Sequence, residues 1–397
     1  MSGRPVRVGA LAATLLLLAG PVPAGADATR DVAADTTLTT AVSTALAAPA
    51  IGTTALPAHL SLALVEVETG ALIAVRDGTT RRPIASTIKL LTALTVVEAL
   101  APGEVVTVGE AAAAVGGSSY GLRAGERRSV EDLLAGLLLR SGNDAAVALA
   151  VAVAGSEEAF TARMADVLAG LGIDARPASA SGLEEGDALS ATELATVALA
   201  ALAEPRIRAL VGVDAVVLPS GRIVENRNRF LTDVEGATGL KTGFTNAAGF
   251  TLAASARRDG RELVAVVLGA ADDLQRRTAA TRLLEDGFAG TRRVDLTSSV
   301  ELRRAAGPVR YASAPLPATV AVAADVTFGW DAGFHAERGP STVAVHVDGE
   351  VVTRRPVQRL DGRADAPPVG LGAALVDGVY AALLPAALAG SVGDGLR

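Results

Sequence analysis

Lysine occurs at only two positions in this sequence. The chain has 36 lysines and arginines, and Lys89 and Lys241 are the only lysines among them. Arginine stays protonated in proteins, whereas a lysine that is removed from water can lose its proton and act as a base. We therefore expect these two positions to need chemistry that arginine cannot provide.

Lys89 lies three residues after Ser86, at the start of a helix that is predicted for residues 86–100. Residues with this spacing share one helix face, so the Lys89 amine can take the proton of the Ser86 hydroxyl and make it a nucleophile. The backbone N–H groups of the first helical turn can stabilise an oxyanion. In the alternative interpretation, Ser86 only caps the helix and Lys89 lies in solvent.

Two other segments carry polar groups that would complete such a site. Ser141 and Asn143 lie where an Ala-rich helix is predicted to begin, and they either take part in catalysis or cap that helix. Lys241, Thr242 and Gly243 are predicted to lie just before a strand. They form either an ordinary turn or a cationic strand edge that receives a substrate carboxylate.

The elements that must position these residues are predicted from capping residues, turns and periodicity, with Ser129 and Ser190 as N-caps. The predicted helices are 86–100, 129–140, one from 143, one from 190, and 273–288, and the predicted strands are 60–67, 71–76, 249–257, 262–269, 319–328, 342–347 and 350–353. Helices and strands occur in blocks, which favours an α+β fold over a doubly wound parallel sheet.

The two ends of the chain differ from its middle. Residues 1–26 have the basic start, the apolar core and the small-residue cleavage site of a signal peptide, with an uncleaved anchor as the alternative. Residues 27–57 are predicted to be a flexible lead-in. We expect a main domain at 58–292, a small β-rich domain at 293–368 and an apolar tail at 369–397. The tail either associates with membrane or forms a core helix or a loosely packed end, and the charge of Asp377 within it favours the last two.

Composition excludes several functions. The net charge is −7 and no basic stripe is present, which argues against nucleic-acid binding. The chain has no cysteine, so disulfides and thiol catalysis are excluded. Its three histidines, His59, His335 and His346, lie far apart and lack metal-ligand spacing, which disfavours a zinc site or a histidine-based triad.

The three polar segments together resemble the active-site motifs of the serine penicillin-binding proteins and β-lactamases in order and spacing. These motifs are Ser86-x-x-Lys89, Ser141-x-Asn143 and Lys241-Thr242-Gly243. The flanking residues 84–90, 133–149 and 239–269 resemble the low-molecular-weight D-alanyl-D-alanine carboxypeptidases, and the likeness extends over 60–288. It implies a β-lactamase/transpeptidase-like antiparallel sheet flanked by helices, followed by a small C-terminal β domain.

The resemblance also implies an activity. The exported enzyme would remove the terminal D-Ala of peptidoglycan stem peptides that end in D-Ala-D-Ala, through an acyl-enzyme on Ser86 with Lys89 as base. Ser141 and Asn143 would complete the hydrogen-bond network, and Ser141 would relay a proton to the leaving D-Ala. β-Lactams would inhibit it by acylating Ser86. No metal or cofactor is implied.

Substrate binding is assigned by the same resemblance. Lys241 and Thr242 would hold the terminal carboxylate, and the backbone N–H groups of Ser86 and Phe244 would form the oxyanion hole. The charge of Lys241 would also lower the pKa of Lys89.

Three alternatives remain at this point. One is a β-lactamase of the same fold, although Gly142 stands where the class A enzymes usually have Asp. Glu184 and Glu185 lie in a loop that could supply the glutamate which those enzymes use to activate water. An endopeptidase that cuts cross-links would share the same chemistry. A non-catalytic wall-binding scaffold is disfavoured, because it would have no reason to keep the two lysines.

Overall fold

A computed structural model describes residues 51–295, 299–304, 307–313, 317–321, 326–330, 342–347 and 350–359. The contacts among them define two compact units, residues 51–289 and the strands from residue 290 onward. The predicted signal peptide, most of the predicted lead-in and the predicted apolar tail lie outside the described residues. The predicted domain bounds remain a proposal.

Strands and helices alternate in blocks along the first unit. Its strands are β1 (Ser61–Glu66), β2 (Leu72–Arg76), β3 (Arg82–Pro83), β4 (Val105–Thr107), β5 (Arg127–Ser129), β6 (Ala188–Leu189), β7 (Ala215–Val217), β8 (Ile223–Glu225), β9 (Ala237–Thr245), β10 (Gly249–Arg258) and β11 (Arg261–Ala270). Its helices are α1 (Lys89–Ala99), α2 (Glu110–Ala114), α3 (Val130–Leu138), α4 (Asn143–Ala154), α5 (Glu157–Gly170), α6 (Ala191–Ala203), α7 (Pro205–Val211) and α8 (Asp273–Gly290).

A five-stranded antiparallel sheet in the order β2-β1-β11-β10-β9 forms the centre of this unit. The predicted hairpin of β1 and β2 is confirmed. The predicted pair β10 and β11 is also confirmed, and its turn at Asp259 and Gly260 has positive φ at both residues, as a two-residue type I′ turn requires.

Both faces of the sheet are covered, because alternate side chains of each strand point to opposite sides. Ala63 and Val65 of β1 belong to the apolar core that contains α1, α3, α4 and α6. On the other face, Leu64 lies against α8, where the absence of a side chain at Gly287 allows close contact. Leu64 and its neighbours in β1 are fully buried or nearly so. The predicted α+β fold with helices flanking an antiparallel sheet is confirmed.

The predicted N-caps are present. The Ser129 hydroxyl accepts a hydrogen bond from the backbone N–H of Asp132 at the start of α3. Ser190 and Glu193 form a complete capping box at the start of α6. In the described part of the chain, no single helix is long and apolar enough to span a membrane. Helices α4 and α5 have the required length and hydropathy only when they are taken together, and they are bent by 83° relative to each other.

The second unit consists of strands. They are β12 (Thr291–Asp295), β13 (Ser299–Arg304), β14 (Gly307–Ser313), β15 (Pro317–Ala321), β16 (Val326–Trp330), β17 (Thr342–Val347) and β18 (Glu350–Arg359). The predicted hairpin of β17 and β18 is confirmed. The predicted single strand 319–328 is wrong. Its two parts belong to different sheets, because β15 pairs with β12 and β16 pairs with β17.

Candidate active site

Lys89 is the residue at which the polar motifs meet. It is the first residue of α1 and follows a 3₁₀ turn at Ala85–Ile88, so its side chain runs back toward Ser86. The Lys89 Nζ lies 2.8 Å from Ser86 Oγ, 2.8 Å from Asn143 Oδ1 and 2.5 Å from the carbonyl oxygen of Ser181. Lys89 is fully buried, whereas Ser86 is half-buried and can be reached from solvent.

Three oxygens surround the Lys89 Nζ and can accept hydrogen bonds from it. The Ser181 carbonyl can only accept a hydrogen bond, and Asn143 presents its oxygen because its Nδ2 donates to the Gly116 carbonyl at 2.7 Å. A neutral amine has two N–H bonds for these two oxygens. The third contact, between Nζ and Ser86 Oγ, is a donation when the amine is charged, whereas the lone pair of a neutral amine can accept the hydroxyl hydrogen of Ser86.

Burial and charge both act on the protonation of this amine. Burial lowers the pKa of Lys89 well below its ordinary value of 10.5, and the charge of Lys241 lowers it further. The charges of Asp187 and Asp144 act in the opposite direction and do not offset these two effects. The expected influence of Lys241 is therefore present, and it comes second to burial.

Asn143 is positioned by the first turn of α4 and by the loop 116–122. Its backbone N–H donates to the Ser118 carbonyl at 2.7 Å. The neighbouring Asp144 carboxylate accepts hydrogen bonds from the Ser119 hydroxyl and from the backbone N–H groups of Tyr120, Gly121 and Leu122, all within 2.8–3.0 Å. Asp144 thus binds the loop 116–122 to α4, the helix that carries Asn143.

Ser141 lies in the turn between α3 and α4. Its φ is +59°, an uncommon value for a residue with a side chain, and such backbone strain is concentrated at functional sites. The residue is almost buried. Its hydroxyl makes no hydrogen bond within the described residues, which leaves the predicted proton relay untested.

Lys241 is placed differently from the prediction. It lies in the middle of β9, at the edge of the sheet, and not just before a strand. The segment Ala237–Thr245 contains two glycines and three threonines and lacks the apolar alternation that identifies strands, so its pairing with β10 was not visible in the sequence. Lys241 is buried, and its Nζ donates to the Thr242 carbonyl at 2.9 Å. Burial, followed by the charges of Arg276 and Arg227, lowers the pKa of Lys241 to about 7.

Gly243 and Phe244 lie next to Ser86. A Cβ on Gly243 would be 2.9 Å from the backbone nitrogen of Ser86, so only glycine allows this close approach. The buried guanidinium of Arg276 donates to the Gly243 carbonyl at 2.8 Å. Because a trans peptide unit is planar, the N–H of Phe244 points away from the oxygen that Arg276 holds. The Phe244 ring is half-exposed and lies 4.4 Å from the ring of Phe250.

Several groups of this site have no signal in the sequence. The Ser181 carbonyl is a backbone group 92 residues from Lys89, and no sequence signal identifies it. Arg276 also lacked a signal, because its spacing from Asp273 is that of an ordinary ion pair on a helix surface. Glu184 and Glu185 are exposed, and neither bonds to the residues around Ser86.

The site as a whole therefore unites the three motifs. Ser86, Lys89 and Asn143 are linked by direct contacts, and Gly243 brings β9 against Ser86. The arrangement offers a nucleophile, a base whose pKa is lowered by burial, and a cationic strand edge. Such a set can carry out acyl transfer to a serine.

Comparison with known proteins agrees with acyl transfer to a serine. Residues 52–272 match the D-alanyl-D-alanine carboxypeptidase family, peptidase S11. The chain is 34% identical to the D-alanyl-D-alanine carboxypeptidase DacF of Bacillus subtilis over 239 residues, which are 57% of this chain and 61% of that protein. It is 33% identical to DacB2 of Mycobacterium tuberculosis over 212 residues, which are 52% of this chain and 72% of that protein.

A solved structure is also similar. Penicillin-binding protein 6B of Escherichia coli has a TM-score of 0.64 and 30% identity, with 75% of this chain and 93% of that chain covered. The chain spans about three fifths of the length of several of its curated relatives, including DacF. The family match covers more than half of the sequence, and the chain belongs to the D-alanyl-D-alanine carboxypeptidase family of serine peptidases.

Proposed function

We propose that this chain is an exported D-Ala-D-Ala carboxypeptidase that removes the terminal D-Ala of peptidoglycan stem peptides through an acyl-enzyme on Ser86. The observation that carries the proposal is the contact of 2.8 Å between the Ser86 hydroxyl and the buried amine of Lys89. Burial favours the neutral form of the amine, which is the form that can accept a proton.

In the acylation step, Lys89 takes the proton of Ser86, and Ser86 Oγ attacks the carbonyl carbon of the penultimate D-Ala. The C–N bond to the terminal D-Ala then breaks, and the leaving nitrogen receives a proton from Lys89 through the Ser141 hydroxyl. In the second step water attacks the ester, Lys89 accepts a proton of that water, and Ser86 Oγ leaves and is reprotonated. Asn143 holds the Lys89 nitrogen in place in both steps.

Substrate binding is assigned to β9. Lys241 and the Thr242 hydroxyl would receive the terminal carboxylate, whose negative charge would raise the pKa of Lys241 again and keep it protonated. The backbone N–H groups of Ser86 and Phe244 would hold the oxyanion. The closeness of Gly243 to the Ser86 nitrogen supports this assignment.

Two observations favour the carboxypeptidase over a class A β-lactamase. A Cβ on Gly142 would lie 2.6 Å from Asp144 Oδ1 and 3.0 Å from the backbone nitrogen of Tyr120, so the site has no room for an Asp at this position. Glu184 and Glu185 are exposed and lie outside the network around Lys89. β-Lactams are therefore expected to be inhibitors that acylate Ser86 and leave slowly.

Cell-wall chemistry requires that the enzyme act outside the cytoplasm. The predicted signal peptide at residues 1–26 supports export, and the names of the relatives agree with a cell-wall substrate. We infer that the partners are peptidoglycan stem peptides ending in D-Ala-D-Ala. Association with membrane through the tail at residues 369–397 stays a prediction.

The test is hydrolysis of the synthetic peptide diacetyl-L-Lys-D-Ala-D-Ala. Release of free D-Ala by the wild type, and its loss in Ser86→Ala and with a peptide that ends in D-Ala-L-Ala, would support the proposal. A folded wild-type protein that releases no D-Ala would contradict it. Continuous turnover of a chromogenic cephalosporin without release of D-Ala would instead favour the β-lactamase.

A further inference from the structure

Asp187 is a fully buried acidic residue to which the proposed mechanism gives no role. It directly precedes β6. In the part of the chain that the structure describes, no lysine or arginine forms an ion pair with it. A buried carboxylate without a cationic partner is costly unless hydrogen bonds satisfy it, so the groups that donate to Asp187 indicate what the residue does.

The Asp187 carboxylate holds the loop 178–182. Its Oδ1 accepts hydrogen bonds from the backbone N–H groups of Ala178 and Ser179, both at 2.9 Å, and its Oδ2 accepts one from the Ser179 hydroxyl at 2.5 Å. The Ser179 Oγ in turn accepts hydrogen bonds from the backbone N–H of Ser181 at 3.2 Å and from that of Gly182 at 2.9 Å. A continuous chain of hydrogen bonds therefore connects Asp187 to the backbone on both sides of Ser181.

The last bond of this chain fixes the direction of the Ser181 carbonyl. The N–H of Gly182 and the C=O of Ser181 belong to the same peptide unit, which is planar, and in the trans form the two groups point in opposite directions. When Ser179 holds the N–H on one side, the carbonyl is directed to the other side. There it accepts the hydrogen bond of 2.5 Å from the Lys89 Nζ.

The backbone of Asp187 is bound to the segment that leads to Ser86. The Asp187 carbonyl accepts a hydrogen bond from the backbone N–H of Ile84 at 2.9 Å, and the adjoining strands β3 and β6 pair with each other. The loop itself also approaches Ser86, because a Cβ on Gly182 would lie 2.9 Å from the Ser86 nitrogen. Asp187 thus places the Ser181 carbonyl relative to both the nucleophile and Lys89.

Two further contacts hold the loop independently of Asp187. The Thr92 hydroxyl of α1 donates to the Ala180 carbonyl at 2.7 Å, and the Glu157 carboxylate of α5 accepts a hydrogen bond from the Ala180 N–H at 2.9 Å. Both bonds act on Ala180 and not on the peptide unit that follows Ser181. Loss of the Asp187 carboxylate should therefore leave the loop in place but release the direction of the Ser181 carbonyl.

We propose that Asp187 is a positioning residue for acyl transfer, which acts through Ser179 to direct the Ser181 carbonyl at the Lys89 amine. The carbonyl keeps this amine beside Ser86 Oγ, where it takes the proton. The inference rests on the proposed function, because the carbonyl has this task only if Lys89 is the base. Since the loop contacts Lys89 and not β9, the chemical step should depend on Asp187 and the binding of the substrate carboxylate should not.

The test is hydrolysis of diacetyl-L-Lys-D-Ala-D-Ala, with kcat expressed per molecule that a fluorescent penicillin can label. Asp187→Ala should lower kcat by about 10²-fold, the cost of misplacing a reacting group by about 1 Å, and leave KM within about twofold. Asp187→Asn should restore part of the loss, because its amide oxygen can still accept the hydrogen bonds from the N–H groups of Ala178 and Ser179.

A double-mutant cycle tests the connection through Ser179. Ser179→Ala removes the acceptor of the Gly182 N–H, so it should lower kcat to a similar extent as Asp187→Ala. If the two residues act through one chain of hydrogen bonds, the double variant should be no slower than Asp187→Ala alone.

Glu66→Gln is the matched control. Glu66 is also fully buried, and it lies at the end of β1, where it pairs with Arg261 of β11 at 3.0 Å. The substitution should lower the stability, because it breaks a buried ion pair, but it should leave kcat per labelled molecule unchanged.

The outcomes separate the positioning role from the proposed function. A wild-type kcat in Asp187→Ala, a loss that lies wholly in KM, or a double variant whose loss equals the product of the two single losses would overturn the positioning role and leave the proposed function standing. If Asp187→Ala does not fold, a wild-type kcat in Ser179→Ala would overturn the role. A wild type that is neither labelled nor active on D-Ala-D-Ala would overturn both.

Discussion

Lys89 and Lys241 are both buried, and the charge of Lys241 lowers the pKa of Lys89. The two lysines have opposite requirements in the proposed mechanism. Lys89 must be neutral to accept the proton of Ser86, whereas Lys241 must be charged to bind a carboxylate. The enzyme can therefore be active only in a pH range in which Lys89 is neutral and Lys241 is charged.

The first prediction is a bell-shaped pH dependence of kcat/KM for a peptide ending in D-Ala-D-Ala. Activity should rise as Lys89 loses its proton, at a pH well below 10.5, and fall above about 7 as free Lys241 becomes neutral. In Lys241→Arg the charge persists to high pH, so the falling limb should disappear below pH 9 even if the maximum is lower. A falling limb that stays near pH 7 in this variant would show that another group titrates there.

The second prediction concerns Ser141. Its hydroxyl makes no hydrogen bond among the described residues, so Ser141→Ala should lower the free energy of unfolding by less than the roughly 1 kcal/mol that loss of a hydrogen bond costs. If Ser141 relays the proton to the leaving D-Ala, kcat should fall by about 10²–10⁴-fold. Denaturant unfolding and peptide hydrolysis measure the two effects. An unchanged kcat would remove Ser141 from the mechanism.

The third prediction concerns the approach of β9 to Ser86. A Cβ in Gly243→Ala would lie 2.4 Å from Thr251 Oγ1 and 2.9 Å from the Ser86 nitrogen, and it must push the strand away from the oxyanion hole. Acylation by penicillin should slow by about 10²–10³-fold, as after loss of one oxyanion donor. Gly103→Ala is the matched control, because nothing lies within 4 Å of its Cβ. Equal acylation rates in the two variants would contradict the assignment of the hole.

The fourth prediction concerns Asp144. Burial acts to raise its pKa, but hydrogen bonds from the N–H groups of Tyr120 and Leu122 and from the Ser119 hydroxyl outweigh it, and the pKa is lowered from 3.8. The stabilisation is therefore fully present above pH 3.8 and is lost as the pH falls below this value.

Asp144→Asn should accordingly lower the free energy of unfolding by about 3 kcal/mol at pH 7, and hydrogen exchange in the loop 116–122 should become faster. The difference from the wild type should shrink below pH 3.8. Asp166→Asn is the control, because Asp166 is exposed on α5. Equal exchange of the loop in wild type and Asp144→Asn would mean that other contacts hold it.

Local chemistry made much of this molecule predictable. Ser190 and Glu193 identify a helix start because the capping box lies within four residues, and Asp259 and Gly260 identify a hairpin for the same reason. Lys89 was identified because the chain has only one other lysine, Lys241, and uses arginine at its other basic positions. These signals are contained in short segments of the chain.

The parts that were missed depend on contacts between distant segments. The Ser181 carbonyl reaches Lys89 only after folding, and a backbone oxygen has no residue type to reveal it. β9 is a strand because β10 pairs with it, although its two glycines and Lys241 interrupt the apolar alternation that identifies a strand in the sequence. Burial, the main cause of the low pKa of Lys89, is likewise a property of the folded core.

The central claim is that Ser86 is a nucleophile activated by a neutral Lys89. It is tested most directly by labelling the purified protein with a fluorescent penicillin over a time course, beside Ser86→Ala and Lys89→Arg. We expect a long-lived adduct that peptide mass spectrometry places on Ser86 and that is absent from Ser86→Ala. In Lys89→Arg it should form at least 10²-fold more slowly, because arginine cannot accept the proton. An adduct on another residue, or equally fast labelling of Lys89→Arg, would contradict it.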